Sequence, residues 1–116
     1  FRSAIEVFSA AFGPDYHKVG WARVYLSLVL ADEGQFEAAF DALEHAEGIY
    51  ELNYPGDDIW TGDLMVHRAI VLAKSGQGDR AQAMCGRGLG LIKGRMSSED
   101  TYVQEMSRAC AELELP

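Results

Sequence analysis

What this chain has little of narrows it first. Its 116 residues hold 10 Lys and Arg against 18 Asp and Glu, a net charge of −8. No basic cluster offsets that balance, which argues against nucleic acid or an anionic membrane surface as the main partner, since both are polyanions. No apolar run reaches the roughly 18 residues that a membrane span needs, and the first residues have neither the basic flank nor the cleavage pattern of a signal peptide. Cysteine is scarce. Cys85 and Cys110 form no CxxC pair and have no histidine at ligand spacing, so both read as buried thiols, a usage that fits a reducing cytoplasm. None of His17, His45 and His67 has a second ligand four residues on, so neither a metal nor any other cofactor is expected. Nothing in the sequence brings Ser, His and Asp together, and the paired acids Asp57-Asp58 and Glu99-Asp100 stand where helix capping accounts for them. An enzyme is not expected.

What the chain does have is repetition. Phe12-Gly13-Pro14-Asp15 realigns with Tyr54-Pro55-Gly56-Asp57, and Glu33-Gly34-Gln35 with Ser75-Gly76-Gln77, both at an offset of 42 residues. Gly20 falls on Gly62, Val29 on Val71, Leu30 on Leu72 and Ala39 on Ala81, small on small and apolar on apolar. A period of this length marks a stacked array in which each unit is one supersecondary element. Phe1 aligns with Leu43, inside the second helix of the complete unit, so the chain is expected to begin partway through a helix, as a fragment of a longer protein.

Residue spacing predicts six helices. Phe1 to Ala11 carries Ala4, Ile5, Val7 and Phe8 at amphipathic spacing, and Gly13-Pro14 ends it. Asp15 is placed to cap a helix over Tyr16–Glu33, whose apolar residues nearly encircle it. Gly34 stops that helix. Gln35 to Leu52 turns Phe36, Ala39, Phe40, Leu43, Ala46, Ile49 and Tyr50 inward and Glu37, Asp41, Glu44, Glu47 and Glu51 to water. Asp57 or Asp58 caps the next helix, Ile59 to Lys74, which Gly76 closes. Asp79 to Lys93 is the weak copy, because Gly86, Gly88 and Gly90 each cost roughly 1 kcal/mol relative to Ala. Two readings stand for those glycines: close approach of a neighbouring helix or chain, or a degenerate repeat with a frayed end. Ser97-Ser98-Glu99-Asp100 is a capping signal for a last helix to Leu113, with Met106, Ala109, Cys110 and Leu113 inward and Tyr102 at its base.

This pattern resembles the tetratricopeptide repeat, in particular the long-period form found in kinesin light chains. The family's run, in outline GPDHPxVAxxLNNLAxLYxxQGxYxxA, lies on Gly13 to Ala39 without a gap. The second copy keeps Asp57, Ala69, Leu72, Gly76, Gln77 and Ala81, with Arg68 at a core leucine position and Gly78 at an aromatic one. The resemblance implies an all-α fold, a right-handed superhelical stack of antiparallel helix hairpins. It divides the chain into residues 1–12 (second helix of a preceding repeat), 13–54 (complete repeat), 55–96 (second repeat) and 97–116 (C-terminal capping helix). In the family, the first helix of each hairpin lines a concave groove where paired Asn residues clamp a peptide backbone. Here those pairs fall on Val24-Tyr25, Val66-His67 and Arg108-Ala109, so the implied groove is read through apolar and aromatic contact.

The expected partner is therefore a protein or peptide, with Trp21, Val24, Tyr25 and Leu28 beside Asp63, Val66, His67 and Ile70 as the contact residues. The same strip could instead be covered by a missing repeat, by the last helix or by a symmetric copy. His67 is either a pH-sensing or ligand-bonding group or a partly buried structural residue. The acid is concentrated early: residues 1–63 hold 3 Lys/Arg and 12 Asp/Glu, net −9, and residues 64–116 hold 7 and 6, net +1. That asymmetry could guide end-to-end contact, attract a basic partner, or simply solvate helix faces. The expected function is an interaction module; the alternatives are a self-association domain or a regulatory domain of a larger signalling enzyme.

Overall fold

The computed structural model describes residues 2–113, with the side chain of Arg2 excepted. The described residues are all-α: α1 (Arg2–Phe12), α2 (His17–Asp32), α3 (Phe36–Asn53), α4 (Asp58–Lys74), α5 (Gly78–Lys93) and α6 (Thr101–Glu112). They form two compact units that divide between Gly56 and Asp57.

In the first unit α2 and α3 make an antiparallel hairpin and α1 packs on α2. Glycine enables the reversals: Gly13 (φ 94°) ends α1 and Gly34 (φ 78°) ends α2 in the left-handed region that a side chain disfavours. After α2, Gly34 N–H donates to Ala31 O and Gln35 N–H to Leu30 O, the paired bonds of a Schellman ending. The core comprises Val19, Ala22, Val24, Leu30 and Ala31 of α2 with Ala39, Ala42, Leu43, Ala46, Ile49 and Tyr50 of α3. Each fully buried Val or Leu contributes about 1.5–3 kcal/mol. Phe36 and Phe40, expected inward, are only half-buried, and the aromatic in this core is Tyr50.

The expected Asp15 cap is not made. α2 begins one residue later than its copy, so its capping position is Tyr16, whose side chain makes no cap hydrogen bond. Asp15 instead presents its carbonyl to Asn53 Nδ2 at 2.8 Å, and the same amide donates to Ile49 O at 2.8 Å. The entry to α2 is further held by aromatic packing: Tyr16 stacks on Phe12 (4.6 Å between ring centres) and His17 lies 5.2 Å from Trp21 and 6.2 Å from Tyr54.

The second unit repeats the hairpin with α4 and α5. Its turn has the same bonds 42 residues on: Ser75 N–H to Val71 O, Gly76 N–H to Ala73 O and Gln77 N–H to Leu72 O, matching those of Glu33, Gly34 and Gln35. Of the two candidate caps, Asp57 is the one used, accepting from the amides of Ile59 (2.9 Å) and Trp60 (3.2 Å). Asp58 pairs instead with Arg95 at 3.2 Å, an exposed contact of small energetic weight. α5 buries only Ala81, Cys85, Gly88 and Ile92. Gly88 resolves part of the glycine question, because a Cβ there would lie 2.8 Å from Gly62 O and 2.8 Å from Met65 Cβ, whereas Gly86 and Gly90 face open space.

α6 rests on α5 and α4. Its cap is Asp100, which accepts from Tyr102 N–H at 2.8 Å, so the helix starts two residues after Glu99, where the sequence placed it. The expectation of two buried thiols is corrected: Cys85 and Cys110 form a disulfide joining α5 to α6, with 5.6 Å between their Cα atoms. Spacing alone did not reveal it, because the pair meets only once α6 has docked beside α5. With it falls the argument for a reducing compartment, which rested on free thiols.

Candidate interaction surface

The eight residues expected at a contact surface divide between the units, four on α2 and four on α4. On α2, Trp21, Tyr25 and Leu28 follow one another at i, i+4 and i+7, spacing that aligns them along one side of the helix. Tyr25 is 49% exposed, and Trp21 and Leu28 are half-buried. Val29, 37% exposed, extends this stripe and was missed, because its counterpart Val71 is core and the sequence treats the two valines alike. Val24 is 1% exposed and belongs to the core of its unit.

On α4 none of the four is open. Val66 is fully buried and His67 is 6% exposed, while Asp63 and Ile70 are half-buried. Asp63 accepts a hydrogen bond from the Tyr102 hydroxyl of α6 at 2.5 Å. His67 reaches the same residue from the next turn: its Nδ1 lies 2.7 Å from Asp63 O and 3.4 Å from Asp63 Oδ2. A carbonyl oxygen can only accept, so Nδ1 carries a proton and donates. Tyr102, Asp63 and His67 thus form a linked polar group where α2 offers apolar surface.

Burial, the largest single influence on His67, pushes the imidazole pKa down. The Asp63 carboxylate's hydrogen bond, its negative charge and its backbone carbonyl together outweigh that and hold the pKa above the ordinary 6.5. A pKa raised on folding means that the folded state holds the proton more tightly. The resulting stability is complete below the unfolded value of about 6.5 and is lost as pH rises through the folded value. The expected result is that His67→Gln costs more stability at about pH 5.5 than at about pH 8.5, as read by urea midpoints. Asp63→Asn should lower the His67 midpoint in an NMR titration, because the carboxylate's charge is removed while burial stays and only the backbone carbonyl still opposes it.

The remaining candidates are accounted for structurally. Asp57 and Asp100 cap helices. His17 packs among aromatic rings, and His45 Nδ1 lies 3.4 Å from Arg23. Among the described residues no three His, Cys, Asp or Glu side chains are grouped to hold a metal ion, and no helix is long and apolar enough to cross a membrane. Comparison with protein-family models, curated proteins and solved structures gave no match.

Proposed function

We propose that this chain is a protein-interaction module of tetratricopeptide-like hairpins, stacked as a right-handed superhelix, that takes a partner peptide or protein segment on α2. The observation that carries this reading is the row of Trp21, Tyr25, Leu28 and Val29, in which a tyrosine and a valine remain substantially open to water on a helix whose other faces are packed. Aromatic side chains offer large contact area at low conformational cost and are favoured at interface centres. The repeat's two matching Schellman turns support the hairpin array. The absence of asparagine at the family's clamp positions favours recognition by apolar side chains over backbone clamping.

Selection from displayed random peptides tests the reading. Binders should carry apolar anchors, and Trp21→Ala with Leu28→Ala should weaken them about tenfold or more, equivalent to at least ~1.4 kcal/mol, while circular dichroism stays unchanged. Binding unaffected by the pair would reject the α2 surface. A second reading, self-association, is favoured by Val7 and Phe12 of α1, each 63% exposed. Sedimentation velocity distinguishes the two: a concentration-dependent dimer that Val7→Glu dissolves supports assembly, and a monomer throughout removes it.

A further inference from the structure

We infer that the Cys85–Cys110 disulfide is a redox latch that holds α6 on α5, and that a dithiol reductant releases α6 while leaving the α4–α5 hairpin folded. The inference rests on how little else holds α6. The helix has 12 residues and buries only Val103 and Met106, and helices of that length are marginal without tertiary packing. The Tyr102 hydroxyl also reaches Asp63, and just past the helix end the Gln82 amide donates to Leu113 O at 3.1 Å. The hairpin, by contrast, keeps a core of its own in Leu64, Val66, Ala69, Val71, Leu72, Ala81 and Ile92.

The two cysteines differ in burial: Cys85 is buried and Cys110 is half-buried, which favours attack at Cys110 Sγ. A thiolate of the dithiol bonds to Cys110 Sγ and breaks the protein disulfide, expelling the Cys85 thiolate, which takes up a proton. The second thiol of the reductant, as thiolate, then attacks its own sulfur in the mixed disulfide and expels the Cys110 thiolate, which is protonated in turn. Two electrons and two protons have moved to the protein and the dithiol has become a cyclic disulfide. Release removes Tyr102 from Asp63, so the position equivalent to Trp21 of α2 is uncovered. The latch is independent of what α2 binds.

Hydrogen exchange read by mass spectrometry on the whole chain, oxidised and in dithiothreitol, tests this. Amides of residues 103–112 should exchange about tenfold faster or more after reduction, while those of α4 and α5 keep their protection. Cys110→Ser should reproduce the reduced pattern without reductant, and Tyr102→Phe should enlarge it further in the reduced protein. Unchanged exchange in α6 after complete reduction would overturn the latch. So would loss of protection across α4, α5 and α6 together, which would make the bond a staple for the entire unit.

Discussion

Replacing Gly62 with alanine is expected to destabilise the second unit by about 3 kcal/mol, although it adds one methyl group and improves helix propensity. The Cβ would lie 2.5 Å from Gly88 O and 2.8 Å from Ile92 Cγ1. The oxygen belongs to the backbone of α5 and cannot rotate aside, so the two helices must separate and open the crossing where Gly88 meets Met65 and Val66 and Gly62 meets Ile92. The same change at Gly86 or Gly90 meets nothing and should stabilise by about 0.5–1 kcal/mol, the ordinary gain of Ala over Gly inside a helix. Gly20, the first unit's equivalent, lies between these cases: its Cβ would touch the Tyr50 ring at 2.9 Å and Ile49 Cγ2 at 3.0 Å. Those side chains can shift, so a cost of about 1 kcal/mol is expected there. Urea unfolding of the four alanine variants checks the ordering. A Gly62→Ala protein as stable as the parent would mean that the α4–α5 crossing is looser than described.

The crossing also shows what the sequence could and could not reveal. The offset of 42 residues placed Gly62 opposite Gly20 and correctly marked the helix ends at Gly34 and Gly76, because turn chemistry is local and a positive φ demands glycine. The helices were legible for the same reason, each within two residues of its observed ends. Which glycine of Gly86, Gly88 and Gly90 meets a neighbour depends on the rotation of α5 against α4, and α5 has too few large apolar residues to fix that rotation from sequence. The disulfide was hidden likewise, since nothing in the chain says that α6 docks beside Cys85. At the candidate surface, periodicity placed Trp21, Tyr25 and Leu28 together but could not separate exposed from packed residues on α2, a helix apolar on nearly every side. On α4, the hydroxyl of Tyr102, far along the chain, reaches Asp63, and no local pattern encodes that contact.

Val24 and Tyr25, adjacent in sequence and equal candidates by alignment, should therefore behave as opposites. Val24 is 1% exposed, and Val24→Asp places a carboxylate in the core of the first unit with no basic side chain among its buried residues. A buried charge left unpaired costs about 3–5 kcal/mol, enough to unfold a unit of this size at room temperature given total stabilities of about 5–15 kcal/mol for whole domains. Tyr25 has nearly half its surface in water, and Tyr25→Ala should change stability by less than about 0.5 kcal/mol while weakening any partner held by the α2 stripe. Thermal unfolding followed by circular dichroism, together with peptide affinity on the same samples, separates the two effects. If Val24→Asp stays folded and loses only binding, the valine faces the partner and the core of the first unit is not as described. If Tyr25→Ala unfolds the protein, the tyrosine has a structural role and the proposed surface loses its central side chain.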